Sequence, residues 1–455
     1  MPLEIKCNAQ TQSVTMLNKT IVVNIIGAGL AGCEASLYLS KMGAKVNLYD
    51  MKPKQKTPAH KNDCFAEIVC SNSLKSKLPT TASGMLKGEL EIMGSKLLEI
   101  AKENAVDAGG ALAVDREKFS EQVTNLILSD KNINVISENV TNIDVSKPTI
   151  IATGPLTSKE LMTEIERISG VKSSFFFDAK APILSADSID MNFAFWGNRY
   201  DKGETDGDYL NCPMNKEEYE TFYDALIHAE TIELKEFEKN GKVFESCMPV
   251  EVMARRGADS LRYGPLKPVG LNDPRTGKRA YAVLQLRKEN REGTMLNMVG
   301  FQTNLKFGEQ KRVFGLIPAL KNAEFLQYGV MHRNSYVFAP LVLNGYLQIK
   351  NAPNVFIGGQ LSGVEGYVES IASGLLAAIN IFKYIKGENL LKLPQTTCLG
   401  GIINYITSYE GNNFQPMNAN FGVIACNQNL PKDKAEARKI MYDISMQEMK
   451  QIFKE

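Results

Sequence analysis

A glycine-rich turn near the start of the chain constrains the fold more than any other sequence feature. The turn has the spacing Gly-x-Gly-x-x-Gly and comprises Gly27, Ala28, Gly29 and Gly32. An apolar run over 21–26 precedes it, and the pattern after it predicts a helix and then a second strand that ends at Asp50. A strand, a turn, a helix and a strand in this order form a βαβ unit.

Each residue type in this unit suits the binding of a dinucleotide. Gly27 permits the tight turn, Gly29 lets a pyrophosphate approach the backbone, and Gly32 allows the helix to pack closely. The helix N-terminus then faces the negative charge, and Asp50 can accept hydrogen bonds from ribose hydroxyls. The sequence therefore predicts a Rossmann-type dinucleotide-binding domain; the alternative is a glycine turn with a purely structural use.

Two later segments favour a flavin dinucleotide over a nicotinamide one. An apolar strand ends at Gly154, and another ends in Gly358-Gly359-Gln360, with Gly363 before a helix of small residues. In glutathione-reductase-like flavoproteins the two ends of the chain close around one extended FAD. The predicted fold class is therefore α/β, with a glutathione-reductase-like FAD-binding domain and an inserted smaller α/β domain.

Changes of composition along the chain give the predicted domain limits. They are an N-terminal extension over 1–18, a discontinuous FAD-binding domain over 19–182 and 333–455, and an inserted domain over 183–332. The inserted part contains a predicted β-hairpin, with strands over 279–286 and 295–302. We also expect one helix over 86–104, irregular chain over 395–430 and a solvated helix over 432–453.

Composition argues against several classes of protein. The chain has 52 basic and 51 acidic side chains, a net charge of +1, so charge alone does not indicate a protein that coats nucleic acid. There is no apolar run of about 18 residues and no signal-peptide core, so we expect a cytoplasmic protein without a membrane span. The eight cysteines and three histidines have no zinc-site spacing, so we expect free thiols and no metal.

Several motifs, taken with the glycine turn, resemble the folate- and FAD-dependent RNA (uracil-5-)-methyltransferases, the TrmFO family. The resemblance runs from about residue 20 to about residue 422. The matching segments include Phe-Ala-Glu-Ile-Val-Cys-Ser-Asn-Ser-Leu at 65–74, Phe-Glu-Ser-Cys-Met-Pro-Val-Glu at 244–251, Tyr-Gly-Pro-Leu-Lys-Pro-Val-Gly-Leu at 263–271, Val-Gly-Phe-Gln-Thr at 299–303 and Gly-Gly-Gln-Leu-Ser-Gly-Val-Glu-Gly-Tyr at 358–367.

The resemblance implies a reaction and its cofactors. Methylenetetrahydrofolate supplies a one-carbon unit, reduced FAD carries it and supplies reducing equivalents, and NAD(P)H regenerates the reduced flavin. The product is 5-methyluridine in RNA, by default at the T-loop uridine of tRNA (m5U54), with a 23S rRNA uridine as the runner-up target. The inserted domain over 183–332 is implied to face RNA and folate. No obligate protein partner is implied.

Two cysteines carry the implied chemistry, Cys70 and Cys247. Uracil C5 is a poor nucleophile until a thiolate adds to C6, and cysteine supplies such a thiolate near neutral pH. We assign Cys247 as the thiolate that adds to C6. Cys70 is placed beside the flavin, as base for the C5 proton or as guard of the flavin adduct. The alternative for either is a buried apolar residue, which we assign to Cys33, Cys212 and Cys398.

A basic segment directly follows Cys247. From Arg255 to Arg291 it contains ten basic and three acidic side chains. We predict a phosphate-binding surface, and the alternative is a solvated charged face. The predicted RNA contacts are Arg255, Arg256, Arg262, Lys267, Arg275, Lys278 and Arg279.

Folate has a flat pterin ring and a glutamate tail. We expect Arg287 and Lys306 to meet the carboxylates, and His332, Asn334 or Tyr336 to flank the pterin. His332 can equally be a core histidine.

Two other functions remain open at this stage. One is the related flavoprotein that modifies wobble uridines of tRNA, which is a longer protein. The other is a non-catalytic RNA-binding flavoprotein that kept the scaffold, against which the presence of both Cys70 and Cys247 argues.

Overall fold

The structure is a computed structural model, and it describes residues 20–57, 59–201, 207–232, 242–243, 248–290, 292–411, 414–426 and 430–453. The predicted extension over 1–18 and the predicted nucleophile Cys247 lie outside these residues. Strands and helices are numbered in chain order.

The described strands are β1 (Val22–Ile26), β2 (Lys45–Asp50), β3 (Ser73–Ser76), β4 (Ala105–Val106), β5 (Ala111–Val114), β6 (Ile133–Ser137), β7 (Thr149–Ile151), β8 (Ser174–Ala179), β9 (Ile183–Ser185), β10 (Phe195–Gly197), β11 (Tyr209–Met214), β12 (Lys242–Val243), β13 (Ala282–Lys288), β14 (Met295–Met298), β15 (Phe325–Gln327), β16 (Met331–Tyr336), β17 (Gln348–Ile349) and β18 (Ala352–Ile357). The α-helices are α1 (Leu30–Lys41), α2 (Ala82–Met93), α3 (Lys96–Glu103), α4 (Arg116–Ser129), α5 (Lys159–Ser169), α6 (Lys216–Ile227), α7 (Val250–Ala254), α8 (Ser260–Tyr263), α9 (Phe307–Phe314), α10 (Ala339–Val342), α11 (Tyr367–Lys386), α12 (Cys398–Ser408) and α13 (Lys434–Phe453).

A mostly parallel sheet forms the centre of the first structural unit. Its order is β17-β18-β7-β1-β2-β6, and only the edge strand β17 pairs in the antiparallel direction. Central residues such as Ile25, Ile150 and Ile357 are fully buried. Continuous apolar strands of this kind are typical of a parallel sheet that is covered on both faces. This is the Rossmann-type FAD-binding fold predicted from the sequence.

Helices α1 and α11 pack against each other beside this sheet, although about 325 residues lie between them in sequence. A Cβ atom on Gly374 of α11 would lie 2.4 Å from the carbonyl oxygen of Ala31. Only glycine therefore permits this approach. The contact joins the beginning of the chain to its late part, as the sequence predicts for an extended dinucleotide.

A second sheet lies in the middle of the chain. Its order is β10-β11-β13-β14-β9-β15, its pairs are antiparallel, and it includes the predicted hairpin of β13 and β14. The sheet and its helices enclose a separate hydrophobic core that contains Phe222, Phe301 and Phe314. The predicted domain limits at 183 and 332 stay a prediction. Two three-stranded sheets, β12-β8-β16 and β3-β5-β4, complete the described architecture.

Three local predictions were wrong. The helix expected over 86–104 is two helices, because Gly94 adopts a left-handed conformation (φ 75°) and the Ser95 side chain caps α3. The segment expected to be irregular contains α12, whose N-terminus Thr397 caps. The terminal helix α13 is not solvated all round, since Met441, Met446 and Met449 are buried. It packs against α2.

Among the described residues, one helix is long and apolar enough to cross a membrane. It is α11, and 78% of its apolar window is buried inside the protein, as in the core helix of a globular domain.

Candidate functional site

The carboxyl ends of the parallel strands meet at one edge of the first sheet, and the glycine turn lies there. Gly27 has φ 102°, and a Cβ atom on it would lie 2.6 Å from the carbonyl oxygen of Ala152. A Cβ on Gly32 would lie 1.9 Å from the carbonyl oxygen of Gly27. Gly29 differs, because a Cβ atom on it would have only one neighbouring atom within 4 Å, the carbonyl oxygen of Ala152 at 4.0 Å. The turn thus needs glycine at 27 and 32 for its own fold, and is open to a ligand at 29.

Asp50 holds the turn from the neighbouring strand. Its Oδ2 accepts a hydrogen bond of 2.7 Å from the Ala28 amide, and its Oδ1 accepts one of 2.9 Å from the Lys52 amide. The carboxylate also lies in the wall of a cavity of about 80 Å³ together with Gly29 and Thr153. Because a carboxylate has about four lone-pair directions, Asp50 keeps acceptor capacity for a ligand.

A second cavity, of about 180 Å³, has Cys70 in its wall. Leu156 lines both cavities, so they adjoin along the edge of the sheet. The polar side chains in the wall of the second cavity are Cys70, Ser71, Ser73, Lys75, Lys180, Gln302, Asn334, Gln360, Glu365, Tyr367 and Glu369. We call this space the Cys70 cavity.

The backbone of Cys70 is fixed from two helices. Its amide donates to the hydroxyl oxygen of Tyr367 at 2.7 Å, at the start of α11. Its carbonyl accepts from Nη2 of Arg116 at 2.9 Å, at the start of α4. Nε of Arg116 in turn forms an ion pair of 2.6 Å with Glu289, just after β13. Cys70 is therefore held in the cavity wall by two side chains of the first unit, and one of them, Arg116, is itself paired with Glu289 of the second unit.

Arg287 supports the same loop. Its Nη2 donates to the Ser71 hydroxyl at 2.7 Å, its Nε donates to Oδ1 of Asn72 at 3.1 Å, and the residue is only 6% exposed. In this position Arg287 stabilises the loop that carries Cys70. Its predicted contact with folate carboxylates stays a prediction without support from this geometry.

The other predicted folate residues are dispersed. Asn334 lies in the wall of the Cys70 cavity. Tyr336 is 2% exposed, and its hydroxyl donates to the carbonyl of Phe414, so it packs in the core. His332 pairs through its backbone with Asp178 in the β16–β8 ladder, and its side chain lies outside the described structure. Lys306 is exposed and pairs with Glu230 at 2.6 Å.

The late glycines occupy different positions around the site. Gly358 lies beside Gly374 of α11, and Gly359 donates its amide to the Ser373 hydroxyl at 2.9 Å. Gln360 reaches the Cys70 cavity. Gly363 (φ 95°) packs against Phe414, which a Cβ atom would meet at 2.8 Å. Gly154 has φ 67°, and its neighbours in sequence, Thr153 and Pro155, line the first cavity and the Cys70 cavity respectively.

Three cysteines that we interpreted as structural are buried, namely Cys33, Cys212 and Cys398. Burial raises the pKa of the Cys212 thiol to about 12, and it also raises the pKa of Cys33 and of Cys398. These thiols are therefore protonated at neutral pH and are poor nucleophiles. Cys70 differs in being partly exposed to its cavity.

The predicted RNA contacts divide into two groups. Arg262 and Arg275 form ion pairs within the chain, with Asp259 at 2.6 Å and with Asp273 at 2.7 Å, and Arg275 is itself exposed. The remaining five are exposed, and they are Arg255, Arg256, Lys267, Lys278 and Arg279. Their positive charge faces solvent.

Sequence reasoning missed three side chains of this site: Arg116, Tyr367 and Glu369. Glu369 is 1% exposed, its Oε1 accepts from Lys75 and from the Ala419 amide, both at 2.9 Å, and its Oε2 has no partner among the described residues. An acidic residue in the first turn after a glycine-rich strand end is a local signal that could have indicated Glu369. Nothing near Arg116 in the sequence indicates its contact with Cys70.

The fold and the site define a class, the two-part α/β proteins with a dinucleotide-binding glycine turn at the carboxyl edge of a parallel sheet. The model of the family "Glucose inhibited division protein A" matches residues 22–389. Two solved structures of Aquifex aeolicus GidA share this fold, with TM-scores of 0.69 and 15% identity over 96% of this chain, and 73% and 76% of theirs.

Closer relatives place the chain within that class. A Caldicellulosiruptor bescii protein named methylenetetrahydrofolate--tRNA-(uracil-5-)-methyltransferase TrmFO is 55% identical over 92% of this chain and 95% of its own length. A Bacillus cereus protein of the same name is 53% identical over the same shares. The chain belongs to the TrmFO family, as its motifs predicted.

Proposed function

We propose that this protein is a methylenetetrahydrofolate- and FAD-dependent methyltransferase that forms 5-methyluridine in tRNA. The observation that carries the proposal is the position of Cys70, a partly exposed thiol in a cavity that adjoins the dinucleotide turn. The identity of 53–55% to relatives named for this reaction supports it.

The residues present fit an FAD. Gly29 leaves open a space for the pyrophosphate that any larger side chain would fill. Helix α1 begins there, with no acidic residue in its first turn and no side-chain cap on its free amides. The unpartnered Oε2 of Glu369 suits a ligand with N–H donors, such as an isoalloxazine ring. Bound there, the reduced flavin would supply the electrons that turn a methylene unit into a methyl group.

The chain's own groups account for the remaining steps. Cys247, as a thiolate, adds to uracil C6 and makes C5 nucleophilic. After the one-carbon unit is attached, a base in the Cys70 cavity removes the C5 proton, and the thiolate leaves C6. We assign the base to Cys70, whose backbone is fixed by Tyr367 and Arg116. The described chain resumes one residue after Cys247, and the Val250 amide donates to the carbonyl of Gln302, a residue of the cavity wall.

The finer parts of the proposal concern the target, the reductant and the location. The default target is the T-loop uridine of tRNA, since the relatives are named for tRNA. NAD(P)H is proposed as the source of reducing equivalents. A 23S rRNA target, a cytoplasmic location and the lack of an obligate protein partner stay predictions.

Mass spectrometry of nucleosides from a strain with and without the gene tests the function. We expect 5-methyluridine to disappear from tRNA in the deletion strain, and to return with the wild-type gene but not with Cys247→Ala. If 5-methyluridine disappeared from 23S rRNA alone, the substrate would be 23S rRNA and not tRNA. Loss of a wobble-uridine modification, or no change in either RNA, would contradict the proposal.

A further inference from the structure

The inserted unit carries a ladder of three aromatic rings at its surface. Tyr328 stacks with Phe307, with ring centroids 4.8 Å apart and planes at 19°, and with Phe325 at 5.2 Å and 9°. Tyr328 and Phe325 are half-buried, whereas Phe307 is 50% exposed. We call these three residues the aromatic ladder. Its internal stacking fixes the orientation of Phe307, and about half of that side chain faces solvent.

The ladder is connected to the proposed reaction site through a short, ordered stretch of chain. Gln302 lies in the wall of the Cys70 cavity, and Phe307 is five residues further on. Five residues span at most about 18 Å when fully extended. Glu251 fixes this stretch, because its carboxylate accepts from the Thr303 hydroxyl at 2.9 Å and from the Asn304 amide at 2.8 Å.

The ladder also lies in the same structural unit as the exposed basic residues. Helix α6 packs against both α7, which leads into Arg255, and α9, which begins at Phe307. Lys306, which is paired with Glu230, directly precedes the exposed ring in sequence, and Lys311 lies about one helical turn beyond it; both lysines are exposed. An exposed, pre-oriented ring beside positive charge is the arrangement with which proteins bind unpaired nucleobases, because every base has a flat face that can stack.

We propose that Phe307 is a stacking platform for an unpaired base of the RNA substrate, next to the uridine that enters the Cys70 cavity. The inference rests on the proposed function, since it assumes an RNA substrate. It adds a recognition role that needs no base-specific hydrogen bond. The platform holds the splayed loop of the RNA while the basic residues hold its phosphates.

The test compares Phe307→Leu, which keeps an apolar side chain but removes the ring, with Phe307→Trp, which keeps a stacking surface. The RNA is a hairpin with the target uridine and 2-aminopurine at the other unpaired positions in turn. For Phe307→Leu we expect a Kd for the hairpin about tenfold higher and loss of fluorescence quenching at one loop position. Phe307→Trp should restore both, and the slope of binding against salt should stay unchanged because no phosphate contact is lost.

Phe193→Leu is the matched control, because Phe193 is an exposed phenylalanine (44%) of the same unit outside the ladder. The inference is overturned if Phe307→Leu binds the hairpin as the wild type does, or if only its KM for methylenetetrahydrofolate rises. A wild-type protein that neither binds nor methylates the hairpin would instead overturn the proposed function, and the inference with it.

Discussion

At the residue scale, the three glycines of one sequence motif have two different roles, one in the fold of the turn and one in ligand binding. Gly27 and Gly32 are required by close backbone contacts within the protein, whereas Gly29 faces the open cavity. Substitution at Gly29 should therefore affect the ligand, and substitution at Gly27 should affect the fold.

Gly29→Glu should abolish FAD binding while the melting temperature of the apoprotein stays close to that of the wild type. The added carboxylate would occupy the pyrophosphate position and repel its charge. Flavin absorbance of the purified protein and thermal unfolding measure the two quantities. Gly27→Ala should lower the melting temperature as well, because its Cβ would clash with Ala152. A yellow Gly29→Glu protein would contradict our placement of the dinucleotide.

The two cysteines should behave differently with RNA that carries 5-fluorouridine at the target position. Fluorine cannot leave C5 as a proton does, so the thiolate that added to C6 stays covalently attached. We expect Cys247→Ala to form no covalent RNA adduct and to retain FAD. Cys70→Ala should form the adduct but alter the flavin spectrum or stall after addition. Denaturing gel electrophoresis detects the adduct, and the opposite pattern would exchange the two roles.

At the scale of elements, a buried carboxylate links three helices. Glu89 of α2 accepts from the Cys398 amide at 2.5 Å and the Leu399 amide at 2.9 Å, at the N-terminus of α12. It also accepts from the Ser445 hydroxyl of α13 at 2.6 Å. Burial raises the pKa of Glu89 to about 7. The folded protein therefore keeps its proton at pH values where the unfolded chain has lost it.

This raised pKa gives Glu89 a stability effect of defined sign. Between pH 4.5, its ordinary value, and about 7, the unfolded state binds fewer protons than the folded state. Stability from this group is therefore present below pH 4.5 and is lost as the pH rises to about 7, by at most about 1.4 kcal/mol per pH unit. Relative to Glu89→Gln, the wild type should lose stability across this window in urea unfolding. Glu91→Gln removes an exposed ion pair on the same helix and is the control. Its free energy of unfolding should depend on pH as that of the wild type does.

Local signals predicted some of the elements and missed others. The βαβ unit, the β13–β14 hairpin and α11 were predicted because hydrophobic periodicity and glycines at their ends are properties of the sequence itself. The break at Gly94 was missed because glycine inside a helical pattern is often tolerated. The burial of α13 depends on contacts such as Ser445 with Glu89, 356 residues apart, which local pattern cannot indicate.

At the scale of the whole molecule, the exposed basic residues should determine how RNA binding depends on salt. Replacing Arg255, Lys278 and Arg279 together by glutamine should weaken RNA binding and reduce the slope of log K against log salt by about one unit for each lost phosphate contact. FAD content should stay unchanged. Filter binding at several salt concentrations gives the slope, with Lys131→Gln on the first unit as control. An unchanged slope would mean that these three residues do not contact phosphate.

The contacts between the two units explain why the sequence does not indicate the geometry of the site. Arg287 was predicted from its charge as a folate ligand, yet it braces Asn72, which is 215 residues away in sequence. The pair of Arg116 and Glu289 spans 173 residues. Such pairs form only because the tertiary fold brings the two residues together, so no local pattern in a single sequence predicts them.

The packing of α1 against α11 also sets the order in which the protein can be made. Strand β18 begins about 200 residues after β7 ends, and both are needed to complete the dinucleotide edge of the sheet. A ribosome that adds about 5–20 residues per second needs roughly 10–40 seconds for that interval. During this time the nascent chain carries an incomplete sheet, while the second unit, whose core is contiguous in sequence, can already fold. We therefore expect cofactor loading to be a late event in biosynthesis, after strand β18 has completed the dinucleotide edge.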